Sequence, residues 1–160
     1  MMPARNRSEV PWIAKDFDSG SQHQLAYCVC PNRGHERESP MSTNRAITVF
    51  GAYGHTGRFV VAELCRRGWA PVLSGRDPGK LEALGTAFPT LECRPASVDD
   101  PAALDRALAG AAAVINCAGP FLDTAQPLIE AALRARIGYL DVAAEQQAVL
   151  DTFERYADTA

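Results

Sequence analysis

The sequence predicts an α/β fold, a doubly wound parallel sheet with strand order 3-2-1-4-5. Three observations predict it. From residue 46 onwards, short apolar runs alternate with amphipathic stretches at regular spacing, the pattern of βαβ units. The first apolar run, Ile47 to Phe50, ends on glycines at i, i+3 and i+6: Gly51, Gly54 and Gly57. Those glycines open straight into an amphipathic stretch, Arg58 to Arg67, closed by Gly68. Strand, tight turn and helix in that order form the first unit of a Rossmann arrangement.

Each further element follows from its period and its punctuation. Strand one is expected at Ala46–Phe50 and helix one at about Thr56–Arg67, with Val60, Val61, Leu64 and Cys65 on one face. Strand two is Pro71–Ser74. Helix two is about Pro78–Ala87, with Leu81 and Leu84 inward, and strand three is about Leu91–Arg94. Helix three is about Pro101–Ala109, turning Leu104 and Leu108 inward behind Asp100 as a cap. Strand four is Ala113–Cys117. Helix four is Thr124–Arg136, where Leu128, Ala132 and Ile129, Leu133 repeat at i, i+4. Strand five is about Tyr139–Val142, and a last helix starts near Glu145. Right-handed crossovers connect parallel strands of this kind.

The glycine turn carries the chemistry. A glycine at the strand end permits a sharp turn, a second lets backbone approach a pyrophosphate, and a third lets helix and strand pack closely. The helix N-terminus then presents N–H groups and a partial positive charge to phosphate. This points to a dinucleotide. The spacing is Gly-x-x-Gly-x-x-Gly, not the standard Gly-x-Gly-x-x-Gly, so a purely structural glycine turn stays open.

The end of strand two selects between cofactors. An NAD site puts Asp or Glu there, on the ribose 2′-hydroxyl. Here the segment is Val72-Leu-Ser-Gly-Arg76-Asp77-Pro78, so the strand-end residue is Gly75 and Arg76 follows. The guanidinium fork suits a 2′-phosphate, and Ser74 can add a hydroxyl. This favours NADP over NAD. A one-residue shift would bring Asp77 to the ribose, and the alternative for Asp77 is a helix cap before Pro78. The alternative for Arg76 is a solvated surface charge.

Bulk properties exclude other classes. The chain has 160 residues and a net charge of −3, with a pI of about 5.6. Its two lysines are Lys15 and Lys80, and no basic footprint of a nucleic-acid binder is present. No apolar run approaches the roughly 18 residues of a membrane span, and the N-terminus has no secretory apolar core. The five cysteines, at 28, 30, 65, 93 and 117, are an odd number. With three of them inside predicted elements, they fit a reducing cytoplasm.

Residues 1–44 differ from the rest and read as a disordered or non-native extension, with Met41 as the expected natural start. Within it His23, Cys28, Cys30 and His35 resemble metal ligands in type. Their spacing does not match a zinc site, so no metal is expected. Residues 45–160 form the NAD(P)-binding domain. Leu150, Phe153 and Tyr156 carry an apolar stripe to the end of the sequence. The chain therefore reads as the front of a longer protein, against the alternative of a small five-stranded domain. An exposed Phe153 face predicts self-association.

Four segments occur in a telling order: Gly51-Ala-Tyr-Gly-His-Thr-Gly57, Leu73-Ser-Gly-Arg76 with Lys80-Leu81, Val114-Ile-Asn-Cys-Ala-Gly-Pro-Phe121, and Tyr139-Leu-Asp141 with Glu145. Over about residues 45 to 157 the sequence resembles the NADP-binding domain of saccharopine dehydrogenase-like oxidoreductases, a group that includes the trans-acting enoyl reductases. The resemblance implies a C-terminal catalytic and dimerisation domain beyond this chain, and hence a homodimer for the full-length form. It also implies that the Cys117–Phe121 loop lines the cofactor cleft, that helix four starts beyond that loop, and that Asp141 and Glu145 lie near the nicotinamide end. The residues themselves agree on location, since ligands of open α/β sheets bind where the strand order reverses.

The expected cofactor-binding set is Gly51, Tyr53, Gly54, His55, Thr56 and Gly57 in the turn, Ser74 and Arg76 after strand two, and Cys117, Ala118, Gly119 and Pro120 after strand four. No catalytic residue can be named. Cys117 has no histidine partner to activate it, and Glu145 reads equally as a substrate-side carboxylate or a helix N-terminal acid. Asp99 reads as a contact to the adenine edge or as a cap. There is no Tyr-x-x-x-Lys pair, no His-Glu-x-x-His and no Gly-x-Ser-x-Gly. Two functions fit: the cofactor half of an NADP-dependent oxidoreductase with an unknown small-molecule substrate, and a non-catalytic NADP(H)-binding sensor or scaffold.

Overall fold

The computed structural model of the chain describes residues 46–156. The expectations for residues 1–44, including His23, Cys28, Cys30, His35 and the Met41 start, lie outside the described residues.

Five strands and five helices alternate without exception: β1 (Ala46–Phe50), α1 (His55–Arg66), β2 (Val72–Gly75), α2 (Pro78–Ala87), β3 (Cys93–Pro95), α3 (Pro101–Leu108), β4 (Ala111–Asn116), α4 (Phe121–Ala135), β5 (Gly138–Asp141) and α5 (Gln146–Tyr156). The sheet order is β3-β2-β1-β4-β5, and every neighbouring pair is parallel, as the alternation predicts.

The pleat sorts the core into two layers. Successive strand residues face opposite sides, so Val49 and Phe50 of β1 enter different clusters. Val49 packs with Ala52, Val61, Leu73, Leu81 and Leu84 under α1 and α2. Phe50 packs with Leu104, Leu108, Val114, Leu128 and Ala132 under α3 and α4. Thr48 is fully buried, and its hydroxyl donates to the Ala107 carbonyl at 3.2 Å, which satisfies it without water. Both predicted caps form. Asp77 accepts from the Lys80 N–H at 3.1 Å and Asp100 from the Ala103 N–H at 3.0 Å. Each precedes a proline that is pre-set for the first helical turn.

Several boundaries, and the packed face of α5, differ from expectation. β3 is a three-residue edge strand. Leu91 instead closes a turn by donating to the Phe88 carbonyl, and Cys93 is exposed. α4 begins at Phe121, three residues before Thr124, with Pro120 at its N-cap. Pro127 sits inside α4, and the helix ends on Arg136 in the left-handed conformation at φ 55°. In α5 the buried residue is Ala148, and Leu150 and Phe153 point outward, Phe153 being 67% exposed. Leu150 and Phe153 of the apolar stripe thus lie off the packed face, whereas Tyr156 turns towards α4, its hydroxyl donating to the Glu130 carboxylate at 3.3 Å. Small Ala148 lets α5 approach α4, and Thr152 folds its hydroxyl onto the Ala148 carbonyl. Among the described residues no helix is long and apolar enough to cross a membrane.

Candidate dinucleotide site

A cavity of about 460 Å³ opens at the carboxyl ends of the central strands. Its walls come from the β1–α1 turn, the end of β2, the segment after β3 and the β4–α4 loop. Of the expected residues, Gly51, Tyr53, Gly54, His55, Thr56, Arg76, Cys117, Ala118 and Gly119 line it. Gly57, Ser74 and Pro120 do not.

Gly51 holds φ +77°, and a Cβ there would stand 2.8 Å from the Ala118 nitrogen. The turn and the β4–α4 loop are thus in backbone contact, which no other residue permits. Gly57 lies behind the cavity, where a Cβ would run into the Gly51 carbonyl oxygen and Ala52. Its role is the close packing of α1 on β1. The N–H groups of Gly51 and Ala52 both donate to the Ser74 carbonyl, at 2.9 and 3.1 Å, and this ties the turn to β2.

The N-terminus of α1 is different from those of α2, α3 and α4. Asp77 and Asp100 supply carboxylates to the first turns of α2 and α3. Glu145 does so for α4, accepting from the Phe121 N–H at 3.1 Å and the Leu122 N–H at 3.2 Å. α1 has Gly54 at its N-cap, no side-chain cap and no acid in its first turn. Its first N–H groups and the positive end of its dipole therefore face the cavity uncompensated. No carboxylate lines the cavity among the described residues. The donor set suits an anion.

At the end of β2, Arg76 is exposed, and its guanidinium has no partner among the described residues. Ser74 is fully buried, and its hydroxyl donates to the Arg94 carbonyl at 2.8 Å. That hydroxyl is consumed inside the sheet, because a side chain one residue before the strand end points into the layer rather than out of it. Asp77 acts as the α2 cap and does not line the cavity. Tyr53 reaches across from the glycine turn, its hydroxyl accepting from the Asp77 N–H at 3.2 Å.

Asn116 shapes the β4–α4 loop. It is fully buried, and its Oδ1 accepts from the Ala118 N–H at 3.0 Å. Its Nδ2 donates to the Thr124 hydroxyl at 3.1 Å and the Tyr139 hydroxyl at 3.2 Å. Thr124 in turn donates to the Ala118 carbonyl at 2.6 Å. Both polar groups of Ala118 are thereby satisfied by side chains. Burial pushes the Cys117 thiol up to about 11, so it is no thiolate at neutral pH. The Tyr139 phenol is raised as well, chiefly by burial.

Glu145 does not line the cavity: it sits at the N-terminus of α5, its carbonyl accepting from the Val149 N–H at 3.2 Å, and turns its carboxylate onto the N-terminus of α4. Asp141 accepts from the Ala143 N–H at 3.1 Å. Asp99 forms a tight turn with Ser97 at 3.2 Å, and the neighbouring Val98 lines the cavity instead. Phe50, Gly75, Thr124 and Val142 also line it without having been expected there. Only the strand-end position of Gly75 and Phe50 was a usable signal for them. Among the described residues no group of three or more His, Cys, Asp or Glu side chains is placed to hold a metal.

The family described as saccharopine dehydrogenase NADP binding domain matches residues 47–159. The chain is similar to the saccharopine dehydrogenase-like oxidoreductase of Bos taurus, 29% identical over 132 residues, which are 71% of this chain and 31% of that protein. It is 31% identical to that of Homo sapiens over 119 residues, 63% of this chain and 28% of that protein. The chain thus spans less than a third of these relatives' length. Among solved structures it is similar to a nucleoside-diphosphate-sugar epimerase from Pseudomonas aeruginosa, with 30% identity and a TM-score of 0.52 over 60% of this chain and 33% of that one. An NADPH-dependent quinone oxidoreductase from Escherichia coli shares the fold, with a TM-score of 0.57 and 24% identity over 70% of this chain and 44% of that one. With the family matched from the first strand to the last helix, the chain belongs to the saccharopine dehydrogenase NADP-binding domains.

Proposed function

We propose that this domain is the cofactor half of an oxidoreductase that transfers hydride to or from a small molecule held by a further domain. The observation that carries the reading is the uncapped α1 N-terminus facing a cavity lined by no carboxylate. In this reading Gly51, Gly54 and the N–H groups of His55 and Thr56 bind the pyrophosphate. Arg76 binds the 2′-phosphate through charge-assisted hydrogen bonds. The Cys117–Gly119 backbone, held by Asn116 and Thr124, supports the nicotinamide ribose. The nicotinamide supplies the hydride chemistry, and the protein orients it and keeps water away. Proton transfer is assigned to the other domain, since His55, the histidine lining this cavity, lies in the α1 turn at the pyrophosphate end of the site. Cys117 is protonated and Glu145 is engaged on α4. A reducing compartment, the cytoplasm, suits the free thiols of Cys93 and Cys117.

The absence of a carboxylate and of a thiolate from the cavity also fits a second reading, a sensor or scaffold that binds NADP(H) without chemistry. Titration calorimetry of the 160-residue chain with NADPH and NADH tests both readings at their shared step. Tight NADPH binding that falls about 10- to 100-fold in Arg76→Ala, the range of one or two charge-assisted bonds, supports the site. A folded chain that binds neither cofactor removes it. Hydride transfer by the full-length protein then separates enzyme from sensor.

A further inference from the structure

We propose that Tyr53 is a specificity-determining residue. Its ring fills the space above Gly75 that a reader of the ribose 2′-hydroxyl would need, and so reserves the end of β2 for a 2′-phosphate. The proposal rests on the reading of this cavity as the NADP site.

A dinucleotide site that prefers NAD places a carboxylate at the end of the second strand. Here that position is Gly75, and two features oppose a side chain there: the backbone, at φ +158°, and the Tyr53 ring above it. A Cβ on Gly75 would stand 2.7 Å from Cε1 of Tyr53, 3.3 Å from Cζ and 3.4 Å from the hydroxyl oxygen. The ring is held at its far end, where its hydroxyl accepts from the Asp77 N–H at 3.2 Å, and the Tyr53 main-chain carbonyl accepts from the Arg58 side chain at 3.0 Å, which fixes the backbone from which the ring projects. The Lys80 ammonium lies 5.8 Å from the ring centroid, within cation–π range.

The next carboxylate along the chain is also withdrawn. Asp77 turns its side chain onto the Lys80 N–H and the Lys80 ammonium, at 3.1 and 3.7 Å. Neither residue beside Arg76 can therefore offer a carboxylate to a ribose hydroxyl, and Arg76 is the charged group of β2's end that lines the cavity. Tyr53 lies two residues after the first glycine of the turn, so the same segment that shapes the pyrophosphate site also gates the choice of cofactor.

The test couples cofactor binding to thermal unfolding in five variants: Tyr53→Ala, Gly75→Ala, Gly75→Asp, and each of the Gly75 substitutions combined with Tyr53→Ala. In the Tyr53 background both substitutions should lower the unfolding temperature, and Gly75→Asp should bind NADPH at least about tenfold more weakly without gaining NADH. In the Tyr53→Ala background the loss from Gly75→Ala should shrink to the part set by the Gly75 backbone at φ +158°, and Gly75→Asp should shift the preference to NADH. Gly75→Asp alone preferring NADH, or Gly75→Ala costing the same in both backgrounds, overturns the proposal. The Gly75→Ala pair decides if the double variant carrying aspartate does not fold. Failure of the wild-type chain to bind NADPH while folded rejects the site reading itself. Wild-type NADPH binding with no coupling rejects only the role of Tyr53.

Discussion

Glu145 closes a helix that begins 24 residues before it. Its carboxylate receives the N–H of Phe121, at 3.1 Å, together with that of Leu122. Two of the four orphan donors of α4 are satisfied by one side chain from the start of α5. The bond pins α5 to the loop that forms the cavity wall, and it offsets the positive end of α4 beside that cavity. Of the two helix N-termini that border the site, only the one behind the glycine turn is left open to an anion.

Replacing Glu145 with alanine should therefore act through α4. A lost capping carboxylate costs about 0.5–2 kcal/mol, read as a fall of roughly 4–8 °C in unfolding temperature per kcal/mol for a domain of this size. Glu145→Gln, which keeps an acceptor without the charge, should recover part of the loss. An unchanged melting curve for the alanine variant would show that solvent caps α4 equally well.

Asn116 should be the most sensitive polar position of the loop. Asn116→Ala strips a partner from the Ala118 N–H, Thr124 and Tyr139 at once. Leaving buried polar groups unpaired costs about 1–3 kcal/mol each where no water replaces the partner. We expect a loss at the upper end of single-substitution effects, together with weaker NADPH binding because the Ala118 backbone is no longer held. Urea unfolding and calorimetry on the same sample check both, and a variant with wild-type stability would refute the hub role.

Alkaline pH should destabilise the domain, partly through Cys117. Its thiol is pushed up to about 11 in the folded state, whereas an unfolded cysteine ionises near about 8.5. Between these values the unfolded chain has released the proton and the folded chain has not, so stability falls as pH rises. The contribution is fully present below about pH 8.5 and is lost towards about pH 11. Tyr139, also raised by burial, extends the decline to higher pH. Urea midpoints measured across this window should fall less steeply in Cys117→Ala. Parallel slopes would exclude the thiol as a cause.

The sequence by itself determined the alternation of elements, the parallel order of the sheet and the position of the glycine turn. Each depends on residues close together in the chain: the period of apolar positions, Gly51 at a strand end, and Asp77 and Asp100 just before prolines. The start of α4 was not legible, because its cap, Glu145, arrives from another helix. Local pattern also misread the packed face of α5, where Ala148, not Leu150 or Phe153, meets α4. Leu150 and Phe153 follow the apolar period, yet nothing in the described chain covers that side.

Tertiary structure alone decided which of the site residues face the cavity. Arg76 and Ser74 are two residues apart and looked equally available, but the strand buries the Ser74 hydroxyl against the Arg94 carbonyl and leaves Arg76 exposed. Likewise the Tyr53 ring meets Gly75 only because the β1–α1 turn and the end of β2 are hydrogen-bonded neighbours in the sheet. Periodicity and turn chemistry are local and can be read along the chain. Contacts between residues some 20 apart depend on how the strands are brought together, and only the folded sheet contains that information.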